Sequence, residues 1–220
     1  MLLVDKYRPR RLSQVLGQRK VCRVLRRIIA ENVRDGSGFA VWLEGGTGQG
    51  KSSLAHGVAH ALGVDLGAWN YSELDGSACT VDQVRALDDT ARRFAGGGLF
   101  SDQWRVFVVN EAHAMTDKAV QAWLTLLERL PRRWCVVFTT TKWSATLFGE
   151  FSQPFIDRTV NLRLTNQGLC PLFARLAHKI ATREGLNGKT LADYEKLLKR
   201  CHNSMRAALQ AVQAGEMLGD

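Results

Sequence analysis

No apolar run in this chain approaches the length of a membrane span, so membrane-embedded functions fall away and no membrane partner is expected. The opening Met1-Leu2-Leu3-Val4-Asp5-Lys6 lacks the charged-then-apolar layout of a signal peptide, and the cytosol follows as the expected compartment. The five cysteines (Cys22, Cys79, Cys135, Cys170 and Cys201) are scattered, with no C-x-x-C pair. Zinc spacing is therefore missing, and reduced, mostly buried thiols are expected. Internal repeats and low-complexity tracts are absent too. What remains is a globular chain of 220 residues, enough for one large domain and a small one. Positive charge is in excess. A formal net charge of +9 suits a polyanionic partner, and charge alone leaves nucleic acid an open choice.

The stretch from Phe39 to Ser53 explains part of that charge. Phe39-Ala40-Val41-Trp42-Leu43 is an apolar run of strand length. Gly45-Gly46-Thr47-Gly48-Gln49-Gly50-Lys51-Ser52 follows at once and fits G-x-x-x-x-G-K-[ST] at every fixed position. Ser53 to Leu62 then reads as a helix stopped by Gly63. Polyphosphate needs many donors close together, and glycines let successive backbone N–H groups wrap around it. A helix beginning near Lys51 would point its positive dipole end at the same anion. Lys51 would neutralise the β- and γ-phosphates, and the Ser52 hydroxyl would ligate Mg²⁺. The strand–loop–helix order separates this cradle from a glycine-rich turn that matches by chance.

In chain order, Pro9 rules out a long early helix. Arg19 to Asn32 carries Val21, Val24, Leu25, Ile28 and Ile29 on one stripe, surrounded by Arg19, Lys20, Arg23, Arg26 and Arg27. That basic side fits a solvated face as well as a polyanion-binding one. Ala68 to Ser72 reads as a second strand, Thr80 as the cap of a helix carrying Val81, Val84, Leu87, Ala91 and Phe94, and Gly96-Gly97-Gly98 as its end.

Arg105 to His113 is the second chemical stretch. Val106 to Val109 is a fully buried strand by composition, and it ends in Asn110-Glu111. In phosphate-loop ATPases such a strand delivers an acid toward Mg²⁺, and a following glutamate polarises the attacking water. Glu111 suits the second role. Asn110 stands where an aspartate is usual; its amide oxygen can accept from a water on the ion but adds no negative charge, so weaker Mg²⁺ binding is expected. Thr116 caps a helix from Asp117 to Leu130 closed by Pro131, with Val120, Trp123, Leu124 and Leu127 inward. Trp134 to Phe138 is a third core strand with Thr139-Thr140-Thr141 at its tip. Such hydroxyls can reach a γ-phosphate or the attacking water, and threonine is also common in strands for packing alone.

Lys142 to Pro154 reads as loop and Val160 to Leu164 as an alternating strand. Thereafter the pattern is wholly helical. One helix carries Leu169, Leu172, Phe173, Leu176 and Ile180 to Gly185; a second carries Leu191, Tyr194, Leu197 and Leu198; a third starts at Ser204. The expected fold is α/β: a parallel-sheet nucleotide domain over residues 1–164 and a small all-helical lid over 165–220.

Together these motifs resemble the AAA+ clamp-loader ATPase subunits of DNA replication, the type of replication factor C small subunits, bacterial polymerase III gamma-tau or delta-prime, and phage clamp loaders. Lys6-Tyr7-Arg8-Pro9 with Gly17-Gln18 is similar to the family's K-Y-R-P…G-Q opening. The resemblance implies that Tyr7, Arg8, Pro9 and Gln18 hold adenine, that Gly45 to Ser52 with Ser53 holds phosphate, and that ATP and Mg²⁺ are the ligands. It makes Thr141 a first sensor and Glu111 and Lys51 catalytic. Arg158, in Asp157-Arg158-Thr159, resembles the arginine of the S-R-C motif, which reaches a neighbouring subunit's site. Asn203-Ser204-Met205-Arg206 resembles the lid's G-x-M-R, which places Arg206 on the γ-phosphate in cis. Thr80 to Arg85 resembles a segment whose arginine faces the DNA backbone.

The implied partners are other AAA+ clamp-loader subunits in a pentamer-like assembly, a sliding clamp and primed DNA. The resemblance ends with the lid, so either partners supply the family's helical collar or the assembly differs. Asn110, and Asp157 and Thr159 in place of the motif's serine and cysteine, depart from the pattern. The expected function is an ATPase that loads a clamp. A nucleotide-gated subunit with little hydrolysis, and a DNA-targeting regulator or helicase loader, are the alternatives.

Overall fold

The computed structural model describes residues 1–94, 102–142 and 148–219, the side chains of 91–94 excepted. Five strands form one parallel sheet: β1 (Phe39–Glu44), β2 (Tyr71–Asp75), β3 (Arg105–Asn110), β4 (Trp134–Thr140) and β5 (Val160–Arg163), ordered β2-β3-β4-β1-β5. Parallel strands need crossovers, and helices supply them on both sheet faces. This is why β1 and β4 are buried along their whole length and read as unbroken apolar runs.

On one face, α2 (Arg19–Asp35) and α3 (Lys51–Ala61) cover Val41, Leu43, Val106, Val108 and Val137 with Leu25, Leu54 and Val58. On the other, α4 (Val81–Phe94), α5 (Asp117–Leu127) and α6 (Ser152–Asp157) lie against the sheet. Trp123 and Phe155 there meet Trp42 and Phe138. Period-2 alternation sends Val41 and Leu43 to the first face and Ala40 and Trp42 to the second. The exposed side of α2 carries Arg19, Lys20, Arg23, Arg26 and Arg27. Gly36 at φ 74° ends that helix.

Three lid helices follow: α7 (Cys170–Arg183), α8 (Leu191–Arg200) and α9 (Met205–Gln213). They share a core of Phe173, Ala177, Ile180, Tyr194, Leu198, Leu209 and Val212. The short α1 (Leu3–Lys6) joins this core through Leu3, and Lys6 Nζ reaches Glu184 at 2.7 Å. The N-terminal segment thus packs on the lid. All five cysteines are free, with Cys22, Cys79 and Cys135 buried and Cys170 and Cys201 partly so. Among the described residues, no helix is long and apolar enough to cross a membrane.

Four expectations need correction. The second strand is Tyr71–Asp75, not Ala68 to Ser72, because pairing with β3 selects it at the sheet edge over its own mixed polarity. Within Lys142 to Pro154, a 3₁₀ turn (Gly149–Phe151) leads into α6, and Pro154 sits in the first helical turn, where no intrahelical donor is needed. Phe148 and Phe155 hold this segment against Trp42 at ring-centroid distances of 5.8 and 5.3 Å. Leu172 and Leu191 face outward, at 39% and 37% exposure, so the lid stripes are narrower than expected. The helix begun at Asp117 ends at Leu127, short of Leu130. The expectations for Ala91, Phe94 and Gly96-Gly97-Gly98 lie outside the described residues or side chains.

Trp123 is fully buried, edge-on to Phe138 at 5.1 Å, with its indole N–H on the Cys79 sulfur. Trp123→Ala is expected to cost about 3–5 kcal/mol, because the fixed sheet cannot collapse into the space left behind. A urea melt checks this, and an unshifted midpoint would contradict the packing described.

Candidate nucleotide site

The site lies where the tips of β1, β3 and β4 meet the lid, at the carboxyl edge of the sheet. Gly45 N donates to Thr140 O at 3.1 Å, which launches the glycine loop directly off the sheet. Gly48 and Gly50 take φ of 77° and 96°, a left-handed backbone that glycine adopts without strain. A Cβ on Gly48 would stand 2.3 Å from Ser204 Oγ, the cap of α9, so the loop needs glycine here to approach the lid. Gly50 then caps α3, whose first residue is Lys51.

Lys51 is 7% exposed, and its Nζ donates to Gly45 O at 2.7 Å and Gly46 O at 3.1 Å. Burial pushes the ammonium below the ordinary lysine value. The Glu111 carboxylate opposes that shift and the Arg206 guanidinium adds to it, so Lys51 senses both charges.

Glu111, just past β3, stands at φ 48°, which turns its carboxylate back toward the cleft. Thr141 Oγ1 donates to Glu111 Oε2 at 3.1 Å, and His113 Nδ1 lies 3.3 Å from the same oxygen. Asn110 donates its amide N–H to Glu73 and accepts from Thr139 Oγ1 at 3.1 Å. Glu73 also takes the Tyr71 hydroxyl at 2.9 Å and faces His56 at 3.5 Å. Hydrogen bonding from His56, ahead of that from Asn110 and Tyr71, pulls its carboxyl down to about 2 against the opposing effect of burial.

Of the residues singled out in the sequence, Tyr7, Arg8, Pro9, Thr47, Gly48 and Gln49 line the cleft. So do Gly50, Lys51, Ser52, Ser53, Asn110, Glu111 and Arg206. Gly45 and Gly46 serve it from behind through the carbonyls that hold Lys51. Thr141 touches it through Glu111. Tyr7 donates its hydroxyl to Glu184, which with burial raises its pKa.

Three residues stand elsewhere. Gln18 is buried, and its amide donates to Thr165 O at 2.7 Å, so it ties the helix start to the lid linker instead of facing the cleft. Arg158 pairs with Glu128 and donates to Pro154 O at 2.9 Å, away from this chain's own cleft. Arg85 is exposed on α4 beside Asp82.

The apolar wall was not anticipated. Val15 and Leu16 close one side, and Phe173, Ile180 and Leu209 of the lid close the other. Their helical periodicity marked the lid residues as core, and nothing in that pattern distinguishes a core position from the rim of a cleft. Asn203, in the position where G-x-M-R has glycine, sits at φ 57°, a region asparagine tolerates.

Hard oxygen donors line the same cleft: the Ser52 hydroxyl, the Asn110 amide and the Glu111 carboxylate. This set fits Mg²⁺, which takes few protein oxygens and completes its shell with water and phosphate. Among the described residues, no group of three or more His, Cys, Asp or Glu forms a metal cage of its own.

The sequence profile of the ATPase family associated with various cellular activities (AAA) matches residues 41–160. The chain belongs to the AAA ATPase family. This AAA ATPase is 28% identical to a replication factor C small subunit of Halobacterium salinarum, over 99% of this chain and 63% of that protein. It is 26% identical to the small subunit of Aeropyrum pernix, over 100% and 64%, and 27% identical to a large subunit of Methanocella arvoryzae, over 96% and 36%. It therefore spans a little under two thirds of the small subunits it matches. Its fold is that of the Thermotoga maritima RuvB Holliday junction branch migration motor, with a TM-score of 0.69 at 21% identity, covering 94% of this chain and 64% of that one.

Gly48→Val must distort the loop or push α9 away, at a strain of about 1–3 kcal/mol. Nucleotide affinity is expected to fall roughly tenfold with far-ultraviolet circular dichroism retained. Titration with a fluorescent ATP analogue reads this, and wild-type affinity would refute the close approach of loop and lid.

Proposed function

We propose that this AAA ATPase binds and hydrolyses ATP as a subunit of a DNA clamp loader, coupling nucleotide state to placement of a sliding clamp on primed DNA. The observation that carries the reading is the convergence of Lys51 on the cradle, Glu111 at a strand tip and Arg206 on the lid around one cleft. The replication factor C relatives support the clamp-loader context.

In this reading Tyr7, Arg8 and Pro9 with Val15, Phe173 and Ile180 enclose the base, and the loop amides and Lys51 take the phosphates. Glu111 takes the proton of the attacking water as its oxygen bonds to the γ-phosphorus and the bond to the departing diphosphate breaks. The Thr141 hydroxyl holds that carboxylate at 3.1 Å. Ser52 directly, and Asn110 through a water, would hold Mg²⁺, which would neutralise phosphate charge there. Arg206 on the lid reads whether the γ-phosphate is present, which makes nucleotide state a lid position. Arg158 stabilises the transferring group in the next subunit, so turnover depends on assembly. Arg85, exposed on α4, would meet the DNA backbone.

One observation favours a second reading, a nucleotide-gated assembly subunit that hardly turns over: Asn110 is neutral where an acid is usual. Steady-state phosphate release with and without primed DNA separates the two, and no DNA stimulation would sink the first.

Lys51→Ala is expected to abolish tight ATP binding, whereas Glu111→Gln spares binding and lowers turnover at least a hundredfold, in line with loss of a general base. Filter binding alongside single-turnover hydrolysis checks the contrast; a fully active Glu111→Gln would overturn its role. Arg158→Ala is expected to lose activity only in the assembled state. Mixing it with Lys51→Ala subunits should leave some sites that pair an intact cradle with an intact neighbouring arginine, and activity would return there. Strictly additive activities would count against a trans role.

A further inference from the structure

The negative charge that Asn110 lacks is present one hydrogen bond behind it. Strands β2 and β3 pair in parallel with Glu73 opposite Val108 and Asp75 opposite Asn110. Two residues of register separate Glu73 from Asn110, so their side chains rise from the same sheet face. Asn110 Nδ2 donates to Glu73 Oε1, while Asn110 Oδ1 accepts from Thr139 Oγ1 at 3.1 Å. The amide is thus pinned at both ends, and the network fixes which end is oxygen. Its N–H group is committed to the acid, its carbonyl has a second lone pair beyond the one Thr139 takes, and Asn110 lines the cleft.

Glu73 is held in turn. Tyr71 donates its hydroxyl to Oε2 at 2.9 Å, and His56 Nε2, on α3, lies 3.5 Å from the same oxygen. Oε1 is thereby left facing Asn110. The titratable groups facing this carboxylate are His56 and Tyr71, both on the side away from the amide.

We propose that Glu73 is a positioning residue for the divalent-cation half of the nucleotide site, its carboxylate standing in through the Asn110 amide for the missing acid at the β3 tip. The inference rests on the ATP-binding reading above. An amide that donates to a carboxylate is polarised, and its oxygen becomes a better acceptor for a water held on the cation. Part of a unit negative charge is conveyed to the cleft this way without a carboxylate at position 110. The arrangement also accounts for asparagine itself. An aspartate at 110 would bring two carboxylates within hydrogen-bond distance of each other, whereas the amide donates. Acid and amide are therefore exchangeable as a pair and not singly.

The test uses the full chain, a fluorescent ATP analogue and Mg²⁺, with EDTA to hold the metal-free state. Glu73→Gln keeps an acceptor for the Asn110 N–H and removes only the charge. It is expected to leave affinity in EDTA unchanged and to raise the Mg²⁺ concentration at half-maximal enhancement about tenfold, as loss of an outer partner does at other metal sites. Asn110→Asp alone is expected to lower the thermal midpoint through like-charge contact and to gain no Mg²⁺ affinity. The exchange Glu73→Gln with Asn110→Asp returns one acid and one amide to the pair, and is expected to restore the wild-type Mg²⁺ dependence.

Unaltered Mg²⁺ dependence in Glu73→Gln, or equal losses with and without Mg²⁺, would overturn the proposal and leave Glu73 a packing residue. If Glu73→Gln does not fold, the exchanged pair decides: recovery of the wild-type Mg²⁺ response supports the proposal, and no recovery overturns it. A wild-type chain that binds the analogue in neither condition would refute the nucleotide reading itself, whereas binding without any Glu73 effect refutes only this inference.

Discussion

Lys51 holds an ammonium at a position almost closed to solvent, bonded to two backbone carbonyls of the loop that precedes it. A buried charge is tolerated only where hydrogen bonds and opposite charge offset its lost hydration. The hydrogen bonds come from the same loop, and the opposite charge comes from a distant strand end. Gly45 and Gly46 follow β1, Glu111 follows β3, and the loop is anchored to β4 through Thr140. The parallel sheet is what brings these tips to one edge. Moving β3 by one register would shift Glu111 relative to the ammonium and turn the side chains of that strand to the other face.

The lid completes the cleft instead of merely covering it. Gly48 lies against the Ser204 cap, Arg206 acts on Lys51 electrostatically, and Phe173, Ile180 and Leu209 form part of the wall. The N-terminal segment is joined to the lid through Leu3 and the Lys6–Glu184 pair, yet Tyr7, Arg8 and Pro9 line the cleft. A ligand touching those residues and the glycine loop at once contacts both the sheet domain and the body that includes the lid. In the proposed function this contact is how nucleotide state becomes subunit geometry.

Much of this was readable one residue at a time. The glycine loop, the buried strands before it and before Glu111, and the three late helices each follow from short-range pattern. The errors share a cause. Residues 142–154 read as loop, with Pro154 at their end. Yet α6 forms because Phe155 and Phe148 have Trp42 to pack against. The edge strand β2 is mixed in polarity and owes its place to β3. Leu172 and Leu191 fit a helical stripe whose width only the neighbouring helices define.

Local pattern alone was enough for the glycine loop, the alternation that makes a doubly covered parallel sheet, and the helical lid, because each rests on steric or periodic constraints that act within a few residues. That Glu73 stands behind Asn110, that Arg158 is paired with Glu128, and that lid side chains form the apolar wall emerges in three dimensions alone. Those relations join residues far apart in the chain, and sheet register and helix packing, not local propensity, set their distances.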